Sequence, residues 1–299
     1  APPPPALTDF YLEPTVHPVK EEPLETNINS SSAFWNVLLL ADSGLPTGSF
    51  AHSAGLEAAY QLGMFHDSNN SNNKHEALLH FVQASVASIL QQGGPVLTRV
   101  HQAVWDHCQT DSMEGLLSTQ EQWKTLNQQY HWAIVSNGPA CEASLIQGKS
   151  LLRVALQWTL DAQQQNNSDE EKEMLRIARE ILQCMMAPGD DTNKNDPPLH
   201  LVTVLGAVTA LLGISSSTQV LQLLSYTVAR DIVSAAVRLN LVGPLSSVAV
   251  LAQAQQAVAA LHQDIASQDD DNLFLPSTVP VLDAIQPCHN VLSVRLFRS

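Results

Sequence analysis

From Ala33 onward, apolar residues recur every three to four positions, the spacing of one helix face. No stretch alternates apolar and polar residues for long enough to predict a sheet. The pattern predicts a first helix that reaches Ala41 and stops at Asp42. A turn follows, in which Gly44, Pro46 and Gly48 set the backbone. Ser49 is the expected N-cap of a second helix over residues 50–64, because a serine hydroxyl accepts from the first free amides. Asn73 with Glu76 predicts the cap of a helix carrying Leu78, Phe81, Val82 and Val86. Gly93, Gly94 and Pro95 then predict a break, with Pro95 opening the next helix. Ser118 and Glu121 predict a capping box for a helix through Trp123, Leu126, Tyr130, Ile134 and Val135, and Gly138-Pro139 ends it.

Leu145, Leu151, Leu152, Ala155, Leu156 and Leu160 mark a further helix, and Ser168 with Glu171 starts another that ends near Met186. Residues 188–198 read as a polar linker rich in helix breakers. Residues 199–214 are apolar on most faces and predict a buried helix. Past Ser215, Ser216 and Ser217, a long helix places Leu221, Leu224, Val228, Ile232, Ala235 and Leu239 on one face. Its neighbours Arg230 and Asp231 are expected to point apart. Gly243-Pro244 ends that helix and residues 248–265 form another. The fold class is therefore all-α, a single globular bundle of about ten helices over residues 31–299. Polar insertions are expected near 163–173 and 187–198, and a partner-docking tail at 288–299. Residues 1–30 hold seven of the seventeen prolines and little periodic apolar pattern, which predicts a disordered Pro-rich arm.

Composition narrows the function. Of 299 residues 44% are apolar and only 5% aromatic, which suits helices packed through aliphatic faces. The formal net charge of −15, from 29 acidic against 14 basic side chains, disfavours a nucleic-acid binder, which must neutralise phosphates. It suits a basic protein partner or a metal ion in transit. Four cysteines without CxxC spacing read as free thiols of a reducing compartment. No apolar leader is visible, and the longest apolar stretch falls short of a bilayer span. A soluble, cytoplasmic chain with no membrane contact is expected.

Catalytic motifs are sparse. Gln147-Gly148-Lys149-Ser150 looks like the end of a phosphate-binding loop, but the first glycine of that motif would fall on Ala143, and no strand precedes it. Ser49, His52 and Glu57 offer a nucleophile, a base and an orienting group. They keep open a helical hydrolase, against the ordinary reading of capping, turn and contact residues. His101, His107 with Cys108, and Cys288 with His289 are metal donors without partners at recognised spacing. No catalytic, cofactor or metal residue is therefore assigned.

Asp42, Ser43, Pro46, Gly48, His52, Ser53, Gly55, Leu56 and Glu57 together resemble the N-terminal signature of the urease accessory protein UreF family. The likeness continues in order through residues 147–153, 196–214, 234–239, Pro244-Leu245 and the tail 289–299. The family's usual tail is His-x-x-Leu-Tyr-Ser-Arg-Leu-Phe-x-Ser. This chain departs from it with Ser293-Val294 in place of Tyr-Ser, and with Ser246-Ser247 after Pro244-Leu245.

The resemblance implies an all-helical homodimer without enzymatic activity. It would bind the scaffold UreD (also called UreH) and with it recruit and regulate the GTPase UreG. The assembly loads nickel into the urease apoenzyme; nickel is its cargo and GTP is bound by UreG. The implied partner-binding residues are Asp42, Pro46, Gly48, Ser49, His52, Ser53 and Glu57 in the signature, with His289, Leu292, Arg295, Leu296 and Phe297 in the tail. The tail's apolar residues are too few for a self-sufficient helix, so it is expected to dock on a partner, with Arg295 satisfying backbone carbonyls. A generic helical scaffold unrelated to urease remains the third reading.

Overall fold

Forty residues from Ser71 to Thr110 form one continuous helix, about 60 Å long, and four other helices pack closely along it. The computed structural model describes residues 29–65, 71–110, 113–165, 169–186, 198–266, 273, 275–276 and 279–299. Within them the helices run α1 (Asn29–Ala41), α2 (Leu56–Gln61), α3 (Ser71–Thr110), α4 (Met113–Ile134) and α5 (Gly138–Gln165). They continue as α6 (Asp169–Met186), α7 (Leu201–Leu211), α8 (Ser217–Arg238), α9 (Pro244–Ala266) and α10 (Pro280–Cys288). Two single 3-10 turns, Ser49–Ala51 and His289–Val291, complete them, and every regular element among the described residues is helical. The bundle is all-α, as the periodicity predicts. Residues 1–28 and the linker 187–197 lie outside the described residues.

The centre is α7. Val202 to Ala210 are all buried, so this helix shows no solvent face. It lies between α3 and α5 and approaches both at backbone distance. A Cβ at Gly206 would stand 2.7 Å from the Leu97 carbonyl oxygen of α3, and a Cβ at Gly148 of α5 would collide with the Leu199 carbonyl oxygen. The glycine of the failed phosphate-loop motif is thus a packing residue. On the far side of α3, α8 and α9 pack against it and each other. By length and composition α8 would suffice to cross a bilayer, but over half of its apolar window is buried in the bundle. The α1 helix lies on α8 and leaves Phe34 and Trp35 exposed.

Three predicted boundaries and one predicted side-chain arrangement are corrected. Gly93-Gly94-Pro95 does not break the chain: Pro95 lies inside α3. The two glycines serve close packing, since added Cβ atoms would meet Val202 at 2.9 Å and Leu221 at 3.1 Å. Burial of Leu90, Val96 and Leu97 on either side outweighs the hydrogen bond that proline removes. Ser118 lies within α4, which begins at Met113, so its pairing with Glu121 is no cap. Ser49 opens a 3-10 turn, and α2 starts only at Leu56. Finally, Arg230 curls onto Asp231, its Nε and Nη2 donating to Oδ1 at 2.8 and 2.7 Å, because both are half-buried and neither finds a nearer opposite charge.

Candidate functional site

The turn after α1 is held by its own side chains. The Gly44 N–H donates to Asp42 Oδ1 at 2.7 Å, and Gly48 takes a left-handed φ of 79° ahead of the 3-10 turn. Ala54 (φ 52°) and Gly55 (φ 85°) then reverse the chain into α2. Gly55 also has no room for a side chain, since a Cβ would stand 2.6 Å from Gln286 Cγ of α10. The Gln286 amide donates to the Ala54 carbonyl, fixing α10 to this reversal.

The short helix α2 buries Leu56, Glu57, Ala58 and Ala59. Glu57, only 2% exposed, is the one charged side chain buried this deeply among the described residues. Its Oε1 accepts from the Leu296 N–H at 2.6 Å, and its Oε2 accepts from the Phe297 N–H at 3.1 Å and from His289 Nε2 at 3.1 Å. Three donors from the tail therefore converge on one carboxylate, which is how a buried acid is satisfied. Gln61, one turn along, donates to the Val294 carbonyl at 2.9 Å.

Beyond Phe297 the chain continues along the turn. Arg298 N–H donates to the Ala51 carbonyl at 2.7 Å, and both the N–H and the hydroxyl of Ser53 donate to the Ser299 carbonyl oxygen. His52 Nδ1 and Ser299 Oγ lie 2.5 Å apart. Burial pulls the His52 imidazole below its ordinary value; Arg298 adds to this, Glu142 opposes it, and His289 contributes least. Arg238 of α8 closes the site: its guanidinium lies 3.7 Å from the Phe50 ring centre and 4.3 Å from that of Phe297, while Nη1 donates to the Phe50 carbonyl.

Inward of this clamp lies a cavity of about 360 Å³, bordered by His52, Ser85, Tyr130, Asp231, Gln286 and Ser299. The Ser49 hydroxyl is bound to Asp231, whose carboxyl burial pushes up against the opposing pull of Arg230. Ser49, His52 and Glu57 each have a different partner, so the nucleophile, base and orienter of a hydrolase are not brought together. The predicted metal donors are also otherwise engaged. His101 Nε2 donates to the Ile214 carbonyl, Cys288 Sγ donates to the Ala284 carbonyl, and His289 is held by Glu57. His131, Cys141 and His200, which the sequence reading passed over, do converge. Burial, with the neighbouring His131 second, pushes His200 down to about 4.

Of the predicted partner-binding residues, Asp42, Pro46, Gly48, Arg295 and Leu296 are exposed, and Ser49 and Leu292 are half-buried. His52, Ser53, Glu57, His289 and Phe297 are buried. The tail expected to need a partner docks on its own chain. Arg295 does satisfy carbonyls as expected, those of Asn290 at 2.5 Å and Leu292 at 3.3 Å, both within the tail. Sequence reasoning missed Arg238, Gln61 and Gln286 as parts of the clamp. Each acts on chain far away in sequence, and nothing local marks it.

Fold and site define an all-helical protein whose C-terminal segment is clamped over an N-terminal turn. Comparison with known proteins places that class. The UreF family model matches residues 73–255. Urease accessory protein F of Oryza sativa subsp. indica is 30% identical over 286 residues, 94% of this chain and 93% of its own. The Arabidopsis thaliana protein of the same name is 26% identical over 90% of this chain and 94% of its own. Urease accessory protein UreF of Allorhizobium ampelinum is 26% identical over 85% and 91%. The chain belongs to the UreF family.

Proposed function

We propose that this chain is a non-catalytic factor of urease maturation. In this reading it binds UreD (UreH) and with it recruits and regulates the GTPase UreG, so that nickel reaches the urease apoenzyme. The observation that carries the proposal is the clamped tail. Glu57 and His52 hold the tail through buried polar contacts and Arg238 stacks on Phe297, which leaves Val291, Val294 and Leu296 at 82%, 73% and 62% exposure. An ordered apolar edge presented to solvent fits a partner-docking surface. The buried signature residues then shape that edge from beneath, while Arg295 and Leu296 touch the partner. Engagement of Ser49 by Asp231 and of His52 by Ser299 supports a role without catalysis. The exposed Phe34 and Trp35 of α1 offer a surface for a second copy, in keeping with a homodimer. Four free cysteines suit the cytoplasm.

Co-expression with UreD and UreG, followed by mass measurement on a sizing column, tests this. A complex containing all three chains is expected. Elution of this chain apart from both would overturn the proposal.

A further inference from the structure

His131 in the last turn of α4, Cys141 in the first turn of α5 and His200 just ahead of α7 bring one donor atom each to a common point. His131 Nδ1 lies 3.1 Å from His200 Nε2 and 3.9 Å from Cys141 Sγ, and all three atoms fall within 4.8 Å of one another. Around a tetrahedral zinc ion, bonds of about 2.0–2.1 Å to nitrogen and about 2.3 Å to sulfur set ligand atoms roughly 3.3–3.6 Å apart. The triangle is already close to that size.

The surroundings orient the donors. Ser144 Oγ accepts from the Leu201 N–H at 3.2 Å, bonds the Tyr130 hydroxyl, and lies 3.1 Å from His200 Nδ1. The distance suits the His200 tautomer protonated at Nδ1, whose N–H donates to Ser144 Oγ. That tautomer leaves the Nε2 lone pair of His200 aimed at His131 and Cys141. A hydrogen bond on the far ring nitrogen is the usual support of a metal-binding histidine. The Tyr130 ring stands edge-on to His200, 5.2 Å between centres, and holds the imidazole in place. His200 occupies the N-cap position of α7 without using its side chain as a cap. His200 and Cys141 are buried, while His131 is half-buried beside the exposed Trp132, which gives an ion a way in.

We propose that His131, Cys141 and His200 form a binding site for a borderline-soft divalent ion of the zinc class, distinct from the tail clamp and independent of any role in urease maturation. Two imidazoles and a thiolate suit such an ion, and the fourth tetrahedral position is left for water. On binding, the Cys141 thiol loses its proton to solvent and a sulfur–metal bond forms, with no change of oxidation state. The bound ion ties α4, α5 and the start of α7 together at a place where all three meet.

Co²⁺, the spectroscopic stand-in for zinc, tests the proposal on the full chain. One equivalent is expected to produce a thiolate-to-cobalt charge-transfer band with the intense visible bands of a tetrahedral ion, and Zn²⁺ is expected to abolish both. Cys141→Ser should remove the charge-transfer band. His131→Gln, at the half-buried member where the fold tolerates change, should weaken binding by at least tenfold, and Ser144→Ala by about tenfold through the lost support. No thiolate band in the unaltered chain would overturn the site. A band that survives in Cys141→Ser would overturn it too, placing the ion on Cys108, Cys184 or Cys288.

Discussion

Glu57 and His289 are 232 positions apart in sequence and 3.1 Å apart in space, both sealed from solvent. That contact, with the Leu296 and Phe297 amides on the same carboxylate, converts the signature between Asp42 and Glu57 and a distant tail into one unit. Glu57→Gln keeps the shape but turns an NH₂ group toward donors that have no other acceptor. Breaking such a buried charged network costs about 3–5 kcal/mol. Urea denaturation should show that loss, and amide exchange at Leu296 and Phe297 should become fast. Unchanged protection of those two amides would mean that the carboxylate does not hold the tail.

Arg238 joins three pieces of chain by stacking between Phe50 and Phe297. Lysine keeps the charge but loses the flat, forked group, so Arg238→Lys is expected to cost about 1–2 kcal/mol. Limited proteolysis should then cut the tail earlier than α8. Equal resistance in both proteins would assign the stack no energetic part.

Gly148 faces backbone, whereas Gly138 faces open space. Gly148→Ala should destabilise by at least about 1–3 kcal/mol, because the obstacle is a carbonyl and not a flexible side chain. Gly138→Ala should fall within about 0.5 kcal/mol of the parent. Melting temperatures of the pair read the contrast directly, and equal values would argue against the close approach of α5 to α7.

Burial holds His52, His101 and His262 below their ordinary value of 6.5. In the unfolded chain these imidazoles take up protons near that pH, while the folded protein resists until the pH is lower. The unfolded state binds more protons in that window, so stability rises with pH through it and is lost as pH falls below about 6.5 toward the folded values. Melting temperature should therefore drop between pH 7 and pH 5. A flat profile would show that the three side chains are charged or solvated in the native state.

Much of the bundle can be read along the chain because its information is local. Apolar spacing marks α5, α7, α8 and α9, and Ser216 caps α8 through the Gln219 N–H. Breakers mislead where tertiary packing overrules them, as at Gly93-Gly94-Pro95. The helix α10 goes unpredicted because its nine residues, two of them proline, give too short a period. The signature and tail each stand out by residue order, yet only folding reveals that they are two halves of one contact. The His131, Cys141 and His200 cluster has no local mark at all, since its members come from three elements.

The most direct measurement is urease activity in cells that express a urease apoenzyme and its other accessory proteins but lack their own UreF. This chain should restore activity, and Leu296→Asp should abolish it while leaving melting temperature unchanged, because that side chain faces solvent. Full activation by Leu296→Asp, or no activation by the unaltered chain, would contradict a tail clamped in place to meet a partner.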